Sequence, residues 1–170
     1  MSTAPPLEVA FGGDPNVSFD FGVENDLGYY GYSTQYGMSG TAHTGIDVAV
    51  PLGSPIYAPL SGTVSCVGCH QNDYMTGGVG RIEIELDDGT LILFDHSNES
   101  YVEVGQRVNP GDLLGTSGGM NEPHIHMEVR IPDPSTSSGL RLIDPAAYFA
   151  SLPQLQSLPS AWSKYVTPAA

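Results

Sequence analysis

Cations are scarce in this chain. Its 170 residues include five lysines and arginines against 19 aspartates and glutamates, a formal net charge of −14. Lys164 is the single lysine, and Arg81, Arg107, Arg130 and Arg141 are dispersed. So little positive charge cannot neutralise a phosphate backbone, which argues against nucleic acid as a partner, and an anionic membrane surface is disfavoured for the same reason. Charged residues are only 14% of the total, too few for the dense carboxylate coat of a salt-adapted protein, so the acidity bears on solubility and steering. No hydrophobic run approaches the roughly 20 residues of a membrane span. The start, Met1-Ser2-Thr3-Ala4-Pro5-Pro6, has neither the charged nor the apolar region of a secretory leader. The chain as given reads as soluble. It reaches its target either after loss of an export signal or by another route.

Cysteine is nearly absent too. Cys66 and Cys69 are the two present, in Cys66-Val67-Gly68-Cys69-His70, which matches the haem attachment pattern C-x-x-C-H. One short match among turn-forming residues, with no helix around it, is weak. A local disulfide, or two thiols in a hairpin, is the favoured account. A zinc pair would need two further ligands, and nearby only His70 offers itself.

What is abundant is punctuation. There are 21 glycines and 14 prolines, scattered without a period, which indicates short strands separated by turns and little helix. The length suits one domain with a real core. Residues 1–10 read as a loose or docking arm, since Pro5-Pro6 resists regular structure. Residues 11–40 alternate glycine, aromatic and polar residues, with one short strand expected over 17–21. The tyrosines there either pack with hydrogen bonds or line a cleft. A strand is expected over 61–66.

The clearest hairpin spans 80–96. Ile82, Ile84 and Leu86 alternate with Glu83 and Glu85 on a solvated face, Asp88-Gly89 turns, and Leu91-Ile92-Leu93-Phe94 returns. His96 then falls at the exit of the return strand. Residues 102–115 read as short strands broken by two turns, and 132–139 as a loop. Asp144 caps a short helix with Pro145 at its first position. The tail from 151 to 170 reads as peripheral.

The chemistry gathers in Pro123-His124-Ile125-His126-Met127-Glu128-Val129-Arg130. Read as a strand, this places His124, His126, Glu128 and Arg130 on one face, with the two imidazoles roughly 6–7 Å apart at Cα. Taken alone, that pattern is more often a polar strand face with exposed histidines. A second cluster, His43-Thr44-Gly45-Ile46-Asp47, and a third imidazole, His96, raise its interest in a chain of five histidines. A straight strand would hold His43 and Asp47 about 13 Å apart. A helix would suit the spacing but not Gly45 and its neighbours, and a bend at Gly45 would let both point inward. Three ligands from histidine and a carboxylate, leaving a fourth position open, form the catalytic zinc pattern. His43, Asp47 and one of His124 or His126 would supply it, leaving the other imidazoles for proton transfer.

Four pieces in order resemble one family. They are the run from His43 through Ala58, the stretch from Val104 through Gly115, the stretch from Pro123 to Arg130, and Ile143-Asp144-Pro145. Together, across about residues 11–150, the chain is similar to the lysostaphin-type zinc endopeptidases of peptidase family M23, which cut peptide cross-links of bacterial cell walls. The resemblance implies that His43, Asp47 and His126 hold one Zn2+. It implies that His124 is the general base and that His96 assists it or polarises the scissile carbonyl. Tyr36 is the candidate for the tyrosine that steadies the oxyanion in some members. His96 lies in Phe94-Asp95-His96-Ser97 where the family shows Tyr-x-His-Leu, so the hydrophobe after the histidine is missing. The implied fold is mainly β, a compact antiparallel sheet or sandwich whose long loops form an open groove. The implied partners are peptidoglycan peptides, met outside the cell, in the periplasm or from a phage virion. One alternative is a non-catalytic structural or attachment domain of the same fold. Another, a biotin- or lipoyl-type carrier, lacks a lysine at a hairpin tip.

Overall fold

The computed structural model describes residues 2–3, 6–25, 27–69, 78–119, 121–152 and 166–167. The alternation read along the chain is realised as antiparallel strands. β1 (Ser2–Thr3) pairs with β12 (Val166–Thr167) in a small sheet of its own. The remaining strands are β2 (Val17–Phe19), β3 (Ile46–Ala49), β4 (Pro55–Tyr57), β5 (Gly62–Val67), β6 (Gly80–Glu85), β7 (Leu91–Ser100), β8 (Arg107–Val108), β9 (Leu113–Ser117), β10 (His124–Pro132) and β11 (Leu140–Ile143). Their main order is β2-β3-β10-β7-β6-β5-β8, with β11 beside β10, and β9 joining β4 to β7. The fold is mainly β and antiparallel, as the resemblance implied.

The His-x-His strand is central. β10 pairs with β7 along one edge, and with β3 and then β11 along the other. Ile125, Met127 and Val129 point from it into a core shared with Ile82, Ile84, Ile92 and Phe94, and each of these is fully buried. Burying each such side chain is worth about 1.5–3 kcal/mol. That core makes β10 rigid and sets its register against β3 and β7. A slip of one residue would send the histidines to the wrong face.

Two expectations need correction. The proposed arm contains a helix, α1 (Pro6–Phe11), with Leu7, Val9 and Ala10 buried and the Phe11 ring edge-on to Phe94 at 6.4 Å. Proline is tolerated at a first helical position, where its missing N–H costs nothing, so Pro6 opens this helix instead of preventing it. The return strand also does not end at His96. β7 runs on to Ser100, and its far half leaves β10 to pair with β9.

The C-terminal expectation holds. In α2 (Pro145–Ala150), the Asp144 side chain accepts from the Ala146 N–H at 3.0 Å, with Pro145 at the first position. Cys66 and Cys69 are joined in a local disulfide. His70, the remaining member of the haem-like string, lies outside the described residues, as does most of the tail from 151.

Candidate metal centre

β3 and β10 run side by side with His126 opposite Asp47, so the two motifs meet through sheet register. His43 reaches the same point because the chain bends at Gly45. A side chain at Gly45 would collide with the Met127 carbonyl oxygen of β10, so this close approach of backbones needs glycine. Three donor atoms converge. His126 Nδ1 lies 2.9 Å from Asp47 Oδ1, His43 Nε2 lies 3.2 Å from His126 Nδ1, and His43 Nε2 lies 3.3 Å from Asp47 Oδ1.

The hydrogen bonds behind these atoms determine the tautomers. His43 Nδ1 faces the Asp20 carbonyl oxygen at 2.9 Å, which can only accept, so that nitrogen carries the proton and Nε2 presents its lone pair. His126 Nε2 faces Glu128 Oε1 at 3.2 Å and donates to it, so once a cation displaces the proton that Nδ1 shares with Asp47, Nδ1 presents its lone pair too. Two lone pairs and a carboxylate oxygen thus point at one spot, an arrangement that calls for a cation. A tetrahedral zinc with bonds of about 2.0–2.1 Å has ligand–ligand edges of about 3.3–3.4 Å. The donor triangle is close to that size, and the set of two imidazoles and one carboxylate is a catalytic one. The residues fit zinc.

Electrostatics points the same way. Burial opposes charge on Asp47, but the His126 and His43 imidazoles beside it outweigh that and hold the carboxyl well below the usual carboxylate range. Burial also works against a charged His126. The carboxylates of Asp47 and Glu128, one at each ring nitrogen, outweigh it and push the imidazole up to about 10.

The two remaining histidines stand together at the rim. His124 Nδ1 donates to the Glu122 carbonyl oxygen at 2.7 Å, leaving Nε2 as an acceptor that lies 3.9 Å from Asp47 Oδ2. His96 adopts a positive φ of 66°, an uncommon backbone state for a residue with a side chain. It occupies a bulge between Asp95, which pairs with Arg81, and Ser97, which pairs with Gly80. The bulge turns the His96 ring to within 4.7 Å of the His124 ring, centroid to centroid.

His43, Asp47, His96, His124 and His126 all line one cleft of about 960 Å³, which is also lined by Phe19, Leu27, Tyr29, Tyr30 and Tyr32. Tyr36 is not among its lining residues. Its hydroxyl accepts from Arg130 at 3.0 Å and its ring lies 4.3 Å from the guanidinium carbon, so it faces a separate, smaller cavity. The turn of the 3-10 helix at Gly31–Tyr36 carries Tyr36 away from the metal centre. Tyr30 is the phenol whose ring stands beside His43, at 5.7 Å.

Sequence reasoning missed the floor of the site. Glu128 and Arg130 are buried, with relative exposures of 0% and 6%, under the 3-10 helix. Glu128 Oε2 accepts two hydrogen bonds from Arg130, at 2.6 and 3.0 Å. Its Oε1 accepts from Tyr32 at 2.6 Å and Thr44 at 2.7 Å, besides facing His126. The period-two pattern did place both residues on the histidine face, which was the available signal.

Over 118 residues the chain is 29% identical to the cell division protein DipM of Caulobacter vibrioides, a match covering 66% of this chain and 19% of that protein. Over 93 residues it is 30% identical to the peptidoglycan DD-endopeptidase ShyC of Vibrio cholerae, covering 53% of this chain and 20% of that one. The chain spans about a fifth of the length of these curated relatives. The catalytic domain of the antimicrobial peptidase lysostaphin from Staphylococcus simulans shares the fold, with a TM-score of 0.59 and 24% identity over 81% of this chain and 93% of that domain. The family model of peptidase family M23 matches residues 41–138, the span that contains His43, Asp47, His96, His124 and His126, and the chain belongs to that family.

Proposed function

We propose that this chain is a zinc-dependent endopeptidase that hydrolyses peptide bonds of bacterial peptidoglycan, in a cross-link or a stem peptide. The observation that carries the reading is the triangle of His43 Nε2, Asp47 Oδ1 and His126 Nδ1, open on its cleft side. When bound there, Zn2+ supplies Lewis-acid polarisation and lowers the pKa of water at the site.

The protein's own groups supply the proton traffic. His124, whose Nδ1–H is spent on the Glu122 carbonyl, uses Nε2 to accept the proton of the attacking water. The resulting imidazolium is stabilised by the Asp47 carboxylate 3.9 Å away. His124 then passes that proton to the leaving amine, so it ends the cycle as it began. His96, next to His124, donates to the carbonyl oxygen as negative charge develops on it. Tyr29, Tyr30 and Leu27 form the apolar wall against which a peptide lies and from which water is displaced.

The place of action is where peptidoglycan lies, outside the cell, in the periplasm or at a phage virion. Among the described residues no helix is long and apolar enough to cross a membrane. The net charge of −14 gives no long-range attraction to an anionic wall, and it favours delivery by a separate targeting part. The same charge is the observation behind a second reading, a non-catalytic attachment domain of this fold.

Digestion of purified cell walls from several bacteria with the zinc-loaded protein, followed by mass spectrometry of the new termini, separates the two. The first reading expects new amino termini within the peptides, and none with His124→Ala. Intact walls throughout would favour attachment.

A further inference from the structure

We propose that Glu128 is a positioning residue for the ligand His126, and that Tyr32 ties the tyrosine-rich cleft wall to the metal centre through it. The inference rests on the reading of His126 as a ligand, and goes beyond it to what aims that ligand.

The geometry is that of a clamped carboxylate. Glu128 is wholly buried, and a buried carboxylate must have every lone pair answered. Arg130 closes on Oε2 with Nε at 3.0 Å and a terminal nitrogen at 2.6 Å, a two-pronged contact on a single oxygen that anchors that end of the carboxylate. Arg130 is held in turn by the Tyr36 hydroxyl and ring. Oε1 is then aimed at His126, and Tyr32 and Thr44 donate to that same oxygen at 2.6 and 2.7 Å. The Tyr32 and Thr44 hydroxyls are themselves 2.9 Å apart, and Thr44 Oγ1 lies 3.2 Å from His126 Nε2. None of these side chains can rotate without breaking a hydrogen bond to a buried carboxylate or to a group that holds it.

Two consequences follow. Glu128 selects the Nε2–H tautomer of His126, which is the one that turns the Nδ1 lone pair towards the ion site. Tyr32 also lines the cleft, so the same hydroxyl that holds Oε1 belongs to the wall that a peptide would touch. The wall and the ligand are set by one network. Tyr36 sits in that network one step further away, on Arg130 and not on Oε1.

The test compares zinc affinity, measured by chelator competition, across Glu128→Ala, Glu128→Gln, Tyr32→Phe and Tyr36→Phe. Proton NMR of the zinc-loaded proteins adds a second readout, the slowly exchanging Nε2–H of His126. Glu128→Ala is expected to weaken zinc binding about 10–100-fold and to lose that protected proton. Glu128→Gln keeps an oxygen that can accept the proton and recovers part of the loss. Tyr32→Phe is expected to weaken zinc binding about threefold to tenfold, while Tyr36→Phe, one step further from Oε1, weakens it less. Should Glu128→Ala fail to fold, the Tyr32 and Tyr36 variants decide alone. Equal zinc affinity in Tyr32→Phe and Tyr36→Phe overturns the role of Tyr32. A folded Glu128→Ala with wild-type affinity and an intact proton signal overturns the role of Glu128. These readouts do not involve hydrolysis, so a protein that binds zinc but cuts nothing sinks the proposed function and leaves this inference standing.

Discussion

His43 Nε2 lies 3.3 Å from Asp47 Oδ1, although the two residues are four apart on a segment that enters a strand. A fully extended chain would separate them by about 13 Å. The difference is made at Gly45, where the backbone of this segment lies against the Met127 carbonyl of β10. Gly45→Ala is therefore expected to cost about 1–3 kcal/mol of stability, as overpacking does, and to weaken zinc binding by parting His43 from Asp47. Thermal melting with and without zinc checks both effects. An alanine variant with unchanged melting and zinc affinity would remove the glycine bend from the account.

His124 and Asp47 are expected to fail differently when removed. His124→Ala should keep one zinc per chain and lose about 10²–10⁴-fold in kcat. Asp47→Ala should lose both metal and activity, because it removes one of the three donors and the charge that stabilises the other two. Full activity in His124→Ala would show that another group takes the proton.

Zinc binding should release protons at neutral pH. His126 in the metal-free protein is pushed up to about 10, so below that pH it carries two ring protons. The one on Nδ1 must leave before the nitrogen can coordinate. Calorimetry in buffers of different ionisation enthalpy should find about one proton released per zinc near pH 7. Apparent affinity should rise with pH up to the region of that value. The stability linkage runs the opposite way for this group. The metal-free fold gains from the charged His126 below its unfolded pKa and loses that gain as pH rises through about 10. A pH-independent zinc affinity would contradict the imidazole's place between Asp47 and Glu128.

Cutting of whole walls should be faster with moderate salt. At a net charge of −14 the chain and an anionic wall repel each other, and the Debye length falls from about 30 Å at 0.01 M to about 10 Å at 0.1 M. Cleavage of a small neutral peptide should not show that rise. Measuring both rates over this range separates wall approach from chemistry, and identical salt profiles would rule repulsion out.

Much of the fold was legible because period and punctuation agreed. The 80–96 hairpin has alternating isoleucines and Asp88-Gly89 between its arms, and Asp144-Pro145 marks a helix start by capping chemistry alone. The three ligand candidates were legible through spacing and resemblance. What escaped was tertiary. His96 lies inside a strand, at a bulge, because β7 leaves one partner for another there. Residues 6–11 form a helix because the core has room for Leu7 and Ala10, which local proline content does not reveal. Tyr36 was chosen by its distance along the chain, but the 3-10 helix rotates it onto Arg130 and leaves Tyr30 at the cleft. Glu128 and Arg130 read only as members of the polar histidine face, and it is the tyrosine segment, packed over that face, that buries them.

The proposed function requires that His43, Asp47 and His126 hold one zinc ion and leave it a place for solvent. Zinc X-ray absorption on the dialysed protein, with stoichiometry measured on the same sample, tests it most directly. One zinc per chain is expected, with two imidazole nitrogens, a carboxylate oxygen and a water-like oxygen at about 2.0–2.2 Å, all lost in His126→Ala. A protein that retains no zinc, or zinc that stays equally bound in His126→Ala, would contradict it.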